Sequence, residues 1–373
     1  MKRRKFIECA AGISAAIHSG SPNLLSSQFI SSKTSNLSKK EASYYKKLED
    51  REIECFLCPR LCKLGDKERG YCGVRENMEG AYYTLVYGKA CSVHVDPIEK
   101  KPFFHFLPQS KTLSIATAGC NVNCKFCQNW QISQVRPEQV QHYDLPPPTV
   151  VKYAQKYQCP IIAYTYTEPI VFYEYMYDTS LQARKNDIFN VVVSGGHINP
   201  EPLKDLIEVV DGIKIDLKAF SQKFYSEYVR GTLKPVLDAI KIVSQSDVWL
   251  ELVYLVIPTL NDSTKELKQL CQWIINEIGP DVPLHFSRFH PMYLIKNLPP
   301  TPISTLEKAR DIALSQGIHY VYIGNVPGHP GENTYCPECK KVTIKRYGYE
   351  ITEVNIEKGK CKYCGHKISG FWG

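Results

Sequence analysis

The chemistry in this 373-residue chain is concentrated in its cysteines, fifteen in all, of which eleven fall into three spaced sets. Residues 118–130 read AGCNVNCKFCQNW and place Cys120, Cys124 and Cys127 in one short stretch. Structural zinc and ordinary iron–sulfur sites take four protein ligands. A loop that stops at three either borrows a distant fourth, Cys91 or a histidine, or leaves a metal position for something that is not protein. The other sets reach four. Cys336-x2-Cys339 and Cys361-x2-Cys364 are two knuckles about twenty residues apart, the spacing of a ribbon that binds zinc, with a rubredoxin-like iron as the alternative. Cys55-x2-Cys58-x3-Cys62-x9-Cys72 suits zinc or an auxiliary iron–sulfur cluster. Knuckles of this kind point to metal thiolates in a reducing compartment rather than secreted disulfides. Cys9, Cys91, Cys159 and Cys271 read as small buried hydrophobes.

The elements that must position these sets are visible between residues 112 and 326. Strand candidates are TLSIATAG (112–119), PIIAYTYTE (160–168), FNVVVSGG (189–196), GIKIDLK (212–218), WLELVYLVI (249–257), PLHFSRFH (283–290) and HYVYIGNV (319–326). Amphipathic stretches such as EPLKDLIEVV and STKELKQLCQWIINEI lie between them. Repeated βαβ units predict a parallel sheet, and runs apolar throughout predict strands covered on both faces. The expected fold class is α/β, a full or partial (β/α) barrel, with a doubly wound open sheet as the alternative. Four segments follow: a basic leader and linker (1–50), a cysteine-rich module (51–111), the barrel (112–328) and a zinc-ribbon-like module (329–373).

In either architecture chemistry belongs at the carboxyl ends of the strands. There the sequence places the three cysteines, Tyr166-Thr167-Glu168, Ser194-Gly195-Gly196, Asp216 with Lys218, His290 and Asn325. Asp216 and Lys218 alternate on one strand and so share a face; a structural ion pair is the plain alternative. His290 and Asn325 read equally as structural residues. DPIEKKPFFHF (96–106) reads as a solvated charged turn, or as a lid over the substrate.

Cys120-x3-Cys124-x2-Cys127, with Phe126 before the last cysteine and a strand before the first, resembles the radical S-adenosylmethionine (SAM) superfamily. The resemblance implies a [4Fe–4S] cluster on the three thiolates, with SAM chelating the open iron. Reduction then cleaves SAM to a 5′-deoxyadenosyl radical that takes a hydrogen atom from a substrate. It further implies Phe126 beside the adenine, and Tyr166, Thr167, Glu168, Ser194, Asp216, Lys218, His290 and Asn325 around the cofactor. Of the family's Gly-Gly-Glu-type segment only Glu168-Pro169 is matched here.

Over residues 112–326 the chain is similar to the pyruvate formate-lyase activating enzyme group, which generates glycyl radicals. Where that group carries Asp-Thr-Asn-Gly this chain has Val193-Ser194-Gly195-Gly196, and Ile257-Pro258-Thr259-Leu260 lacks a neighbouring arginine. A longer similarity, over about residues 50–373, is to the radical SAM enzyme of the AmmeMemoRadiSam system. It is carried by ECFLCPRLCKLGDKERGYCGVR (54–75), DPIEKKPFFHFLP (96–108), CKFCQNWQISQ (124–134), AYTYTEPIVFYEY (163–175) and HFSRFHPMY (285–293). The implied partners are a low-potential electron donor and a substrate, with a protein or peptide among the candidates. A non-catalytic iron–sulfur electron-transfer or assembly protein is the rival reading.

Composition narrows the rest. No run of about 18 apolar residues occurs, so no membrane span is expected. The formal charge is +8, but residues 1–50 hold nine Lys/Arg against four Asp/Glu, so +5 of it lies in the leader. The remainder is dispersed and gives no strong nucleic-acid signal. Arg3-Arg4-Lys5-Phe6-Ile7 resembles a twin-arginine export signal, with a basic tail as the alternative. SAM and low-potential reductant are cytoplasmic supplies, so the expected location is cytoplasmic, with twin-arginine export as the alternative.

Overall fold

The computed structural model describes residues 37–373. The twin-arginine-like segment and Cys9 lie outside the described residues. The central sheet has eight strands: β1 (Ser92–Pro97), β2 (Lys111–Ala116), β3 (Ile161–Tyr164), β4 (Phe189–Ser194), β5 (Gly212–Asp216), β6 (Trp249–Val256), β7 (Leu284–Arg288) and β8 (Val321–Gly324). They neighbour one another strictly in chain order. Strands β2 to β8 are parallel, as the seven apolar runs predict, and β1 is antiparallel to β2.

A doubly wound sheet reverses its strand order near the middle; this one never does. Successive right-handed crossovers advancing in one direction put the helices on one face and curl the sheet around the other. No pairing joins β8 to β1. The full barrel is therefore corrected to an open, partial one. The reason is local: β1, which the sequence reading did not place in this sheet, occupies the free edge of β2.

The strands also alternate, although they read as uniformly apolar. Leu113, Ile115, Ile162, Tyr164, Ile213 and Ile215 belong to the large core shared with the helices. The residues between them face the hollow of the sheet. There Ile161, Ala163 and Val191 pack against Ile98, Phe103 and Phe106. The segment DPIEKKPFFHF is thus neither a solvated turn nor a lid. It enters the partial barrel as a plug, in which Asp96 pairs with Lys100 and Lys101 and Glu99 accepts from the Gln109 N–H (2.8 Å).

Glu251 on β6 seats that plug. Its fully buried carboxylate accepts hydrogen bonds from the backbone N–H groups of Phe104 (3.0 Å) and His105 (2.8 Å), from Trp249 Nε1 (3.0 Å), and pairs with His285 Nε2 (2.7 Å). Burial alone would raise the Glu251 carboxyl, but His285 and these donors hold it below its ordinary value. His105 lies between Ser369 O (2.6 Å) and the Tyr322 hydroxyl, and Arg346 Nη2 donates to Phe104 O (2.8 Å). The plug therefore joins the sheet to the carboxyl-terminal module, whose core hairpin is β9 (Val342–Tyr347) and β10 (Glu350–Val354). At the other end, Arg75 of the cysteine-rich module makes a buried bidentate pair with Glu174 (3.0 and 2.6 Å), on the helix that follows β3.

Glu251→Leu leaves four donors facing an apolar side chain and is expected to cost about 3 kcal/mol of unfolding free energy, read by denaturant titration. Burial holds His105 down at about 4 from 6.5. A depressed histidine stabilises the fold while neutral, so stability should fall as pH drops from 6.5 through about 4. Wild-type unfolding midpoints across that interval check this.

Candidate functional site

The three-cysteine loop follows β2 and is clamped from both sides. On one side Gly119, at φ +94°, lies so close to the cysteine-rich module that a Cβ there would meet Val74 Cγ1 at 2.5 Å and Cys72 O at 2.7 Å. On the other side Asn123 N–H donates to Val229 O (3.0 Å) and Lys125 N–H to Tyr228 O (2.8 Å). Cys124 is buried, Cys120 and Cys127 half-buried, and Cys127 Sγ lies 3.2 Å from Ser133 Oγ. Phe126 is buried against Phe224, ring centres 5.8 Å apart. Among the described residues the three sulfurs do not all lie within 4.8 Å of one another. Burial pushes the Cys124 thiol up to about 12, with Lys218 pulling against it. Cys91 N–H bonds Ala116 O (2.8 Å), and burial pushes its thiol up to about 12.

Glu168 closes β3 beside this loop. Its buried carboxylate accepts from Ser194 Oγ (2.6 Å), Gly195 N–H (2.8 Å) and Ile170 N–H (3.3 Å). Burial raises its pKa, partly offset by Ser194 and Gly195 and by the charge of Lys218. Glu168, Ser194 and the cysteines thus form one neighbourhood at the carboxyl ends of β2, β3 and β4.

On β5, Asp216 binds both Lys218 (2.8 Å) and Lys214. Burial would raise the Asp216 carboxyl, yet the two ammonium groups hold it well below the usual carboxylate range. Lys214 is the residue that sequence reading missed. The signal was present, since 214, 216 and 218 alternate along the same strand. A lysine two places before the carboxylate was passed over because the run looked apolar.

Other predicted residues are placed differently. Tyr166, at φ +67°, directs its hydroxyl to Asp96, which also binds Lys100 (2.7 Å) and Lys101 (2.7 Å) inside the plug. Thr167 Oγ1 donates to Thr117 O (2.8 Å), tying the end of β3 to the start of the cysteine loop. His290 is exposed, and Asn325, also exposed, donates to Ser287 Oγ (3.1 Å). Neither is joined to the Glu168 neighbourhood by a hydrogen bond.

The four carboxyl-terminal sulfurs do converge. Cys336 and Cys364 Sγ are 3.6 Å apart, Cys339 and Cys361 Sγ 3.7 Å, and all four lie within 4.8 Å of one another. This cluster can bind a metal ion. Cys55, Cys58, Cys62 and Cys72 line a single hollow in the amino-terminal module.

Residues 114–271, from β2 to the helix after β6, match the family model of the radical SAM superfamily. That stretch is a radical SAM superfamily domain. A [4Fe–4S] cluster and SAM are what such a domain implies. The chain is 47% identical over 331 residues to the uncharacterized protein MJ0808 of Methanocaldococcus jannaschii, covering 88% of this chain and 98% of that one. Among solved structures it is similar to a radical SAM methyltransferase from Sphaerobacter thermophilus (16% identity, 61% of this chain and 71% of that chain, TM-score 0.46). It is also similar to a domain of pyruvate-formate lyase-activating enzyme from Bacteroides vulgatus (15% identity, 44% and 98%, TM-score 0.40).

Asp216→Asn strips the counter-charge from two lysines, one of them, Lys214, only 3% exposed. A loss of about 2 kcal/mol in unfolding free energy is expected. Adding Lys214→Met should recover part of it, because the buried unpaired charge goes too; a double-mutant cycle reads the coupling.

Proposed function

We propose that the protein is a radical SAM enzyme in which Cys120, Cys124 and Cys127 hold a [4Fe–4S] cluster. The observation that carries this is a three-thiol loop at the carboxyl edge of a parallel sheet, with the buried Glu168 carboxylate beside it and sulfurs that do not close to the spacing of the carboxyl-terminal set. When bound, the cluster and SAM supply one-electron cleavage of SAM and removal of a hydrogen atom from a substrate. The chain's own residues do the rest. Glu168, fixed by Ser194 and the Gly195 N–H, presents a carboxylate to the SAM amino group. Phe126 offers an apolar face for the adenine. Lys218 and Asp216 offer a cation and an anion for the SAM carboxylate and ribose hydroxyls. Burial of the loop keeps water from the reacting bond.

The long stretches at 54–75, 96–108, 124–134, 163–175 and 285–293 support placing the chain with the AmmeMemoRadiSam-system enzymes. Glycyl-radical activation is less well supported. The acid typical of the activase pattern is replaced here by Val193, which packs against the apolar plug. A low-potential electron donor and cytoplasmic operation follow from the proposed chemistry. In the carboxyl-terminal cluster we propose zinc: zinc–sulfur bonds of about 2.3 Å give a tetrahedral edge of about 3.8 Å, against 3.6 and 3.7 Å here.

Anaerobically reconstituted, reduced protein should convert SAM to 5′-deoxyadenosine, and Cys124→Ala should abolish it. Absence of product from wild type with an intact, reducible cluster would sink the proposal. Glu168→Gln should weaken SAM binding about 10- to 100-fold, as expected for losing a charged hydrogen bond, with the cluster absorption unchanged. For the ribbon, metal analysis should find about one zinc per chain, lost in Cys339→Ser.

A further inference from the structure

The amino-terminal set of four cysteines has the same ligand chemistry as the carboxyl-terminal set but a different geometry. Around one zinc ion, four thiolates sit on a tetrahedron with an edge of about 3.8 Å. The carboxyl-terminal sulfurs stand close to that spacing, at 3.6 and 3.7 Å. Among the described residues no three of Cys55, Cys58, Cys62 and Cys72 bring their sulfurs mutually within 4.8 Å. They line a hollow instead. Thiolates at the corners of a cubane cluster stand about 6 Å apart, wider than the zinc edge. The wide spacing is shared by Cys120, Cys124 and Cys127 and not by the ribbon.

The backbone holds the set open. Cys55 N–H donates to Cys62 O (2.9 Å) across a short hairpin, which places Cys58 at its turn. Cys72 comes from a separate tight turn, where Gly73 N–H donates to Gly70 O (2.9 Å). The rest of the wall mixes Leu57, Ile170 and Val171 with Arg60, Arg75 and Asn121, and the two guanidinium groups suit an anionic occupant. Four sulfurs held apart around one hollow can contain something larger than one ion.

We infer that Cys55, Cys58, Cys62 and Cys72 bind a second [4Fe–4S] cluster rather than zinc. With four thiolates it has no open iron for SAM, so its chemistry is confined to electron transfer or scaffolding. It stands against the catalytic loop. Asn121, directly after Cys120, lines the hollow, and the Cys72 carbonyl touches Gly119.

Full-length protein should be prepared anaerobically and reconstituted with iron and sulfide, then assayed for iron, acid-labile sulfide and zinc. Wild type should carry about eight irons and one zinc per chain. The triple variant Cys120→Ala/Cys124→Ala/Cys127→Ala should keep about four irons with a [4Fe–4S] Mössbauer signature. Cys58→Ala/Cys62→Ala should keep the other four, and the combined variant none. A triple variant with no iron and about two zincs would overturn the inference; so would wild type with about four irons and two zincs, a result that stands even where a variant fails to fold. The triple variant reports on this site whether or not the protein cleaves SAM. Failure of SAM cleavage and failure of the second cluster are therefore separate outcomes.

Discussion

The position of Gly119 governs the site. Its backbone lies in the left-handed region at φ +94°, and a Cβ there would overlap Val74 and the carbonyl of Cys72. Only glycine lets the strand end press this closely on the amino-terminal module. That contact turns the following residues inward, so the three thiols are enclosed between the module and the turn at Tyr225–Val229. A loop free on one side would leave its sulfurs wet. Here the module acts as the second wall, and the cysteine sets on its two sides become neighbours.

Enclosure creates a second problem, because an open, partial barrel has a hollow that must be filled. The filling is chemically divided along the strands. Toward the amino ends, Phe103 and Phe106 meet Ile161, Ala163 and Val191, and Phe106 stacks on Phe371 at 4.7 Å. Charges sit above and beside this layer, each with a counter-group: Glu251 with His285, Asp96 with Lys100 and Lys101, Asp216 with Lys214 and Lys218. Lys214 and Glu251 are register partners on β5 and β6, so the polar groups form a band across the sheet. Unpaired, any one of them would be costly; paired, they hold the plug in a fixed place and leave the carboxyl ends for a ligand.

Much of this was legible in the sequence. Seven parallel strands followed from apolar runs at regular spacing, and the three-cysteine loop announced itself by spacing and by its place after a strand. What the sequence hid was everything decided by pairing across the sheet. The edge strand Ser92–Pro97 is short and mixed, and its role depends on a register with β2 that no local pattern reveals. The plug looks like a charged turn because Asp96, Glu99, Lys100 and Lys101 dominate its composition, while the aromatic residues that decide its burial come after them. Tyr166, expected beside the cofactor from its place in a motif, has a positive φ and gives its hydroxyl to Asp96, a partner that no local pattern reveals. Barrel closure fails for the same reason the edge strand was missed.

The three cysteine sets offer one ligand type at different backbone spacings. Thiolates do not choose between an ion and a cluster by their own chemistry, since both bind them strongly. The distance at which the fold holds them discriminates. In the carboxyl-terminal cluster the two knuckles bring their sulfurs to 3.6 and 3.7 Å, with Cys361 held in a strand pair opposite Ile356. In the amino-terminal module a hairpin and a separate glycine turn keep four sulfurs apart around a hollow. In the loop after β2 the chain supplies three and then turns away, as Asn129 donates to Tyr166 O (2.7 Å) and fixes the exit. A fourth cysteine there would close the site against any small molecule. Under the proposed reading, the missing ligand is a property of the backbone path, set by the clamp at Gly119 and the exit at Asn129, and it is what would leave room for a cofactor at this loop and not at the two four-cysteine sets.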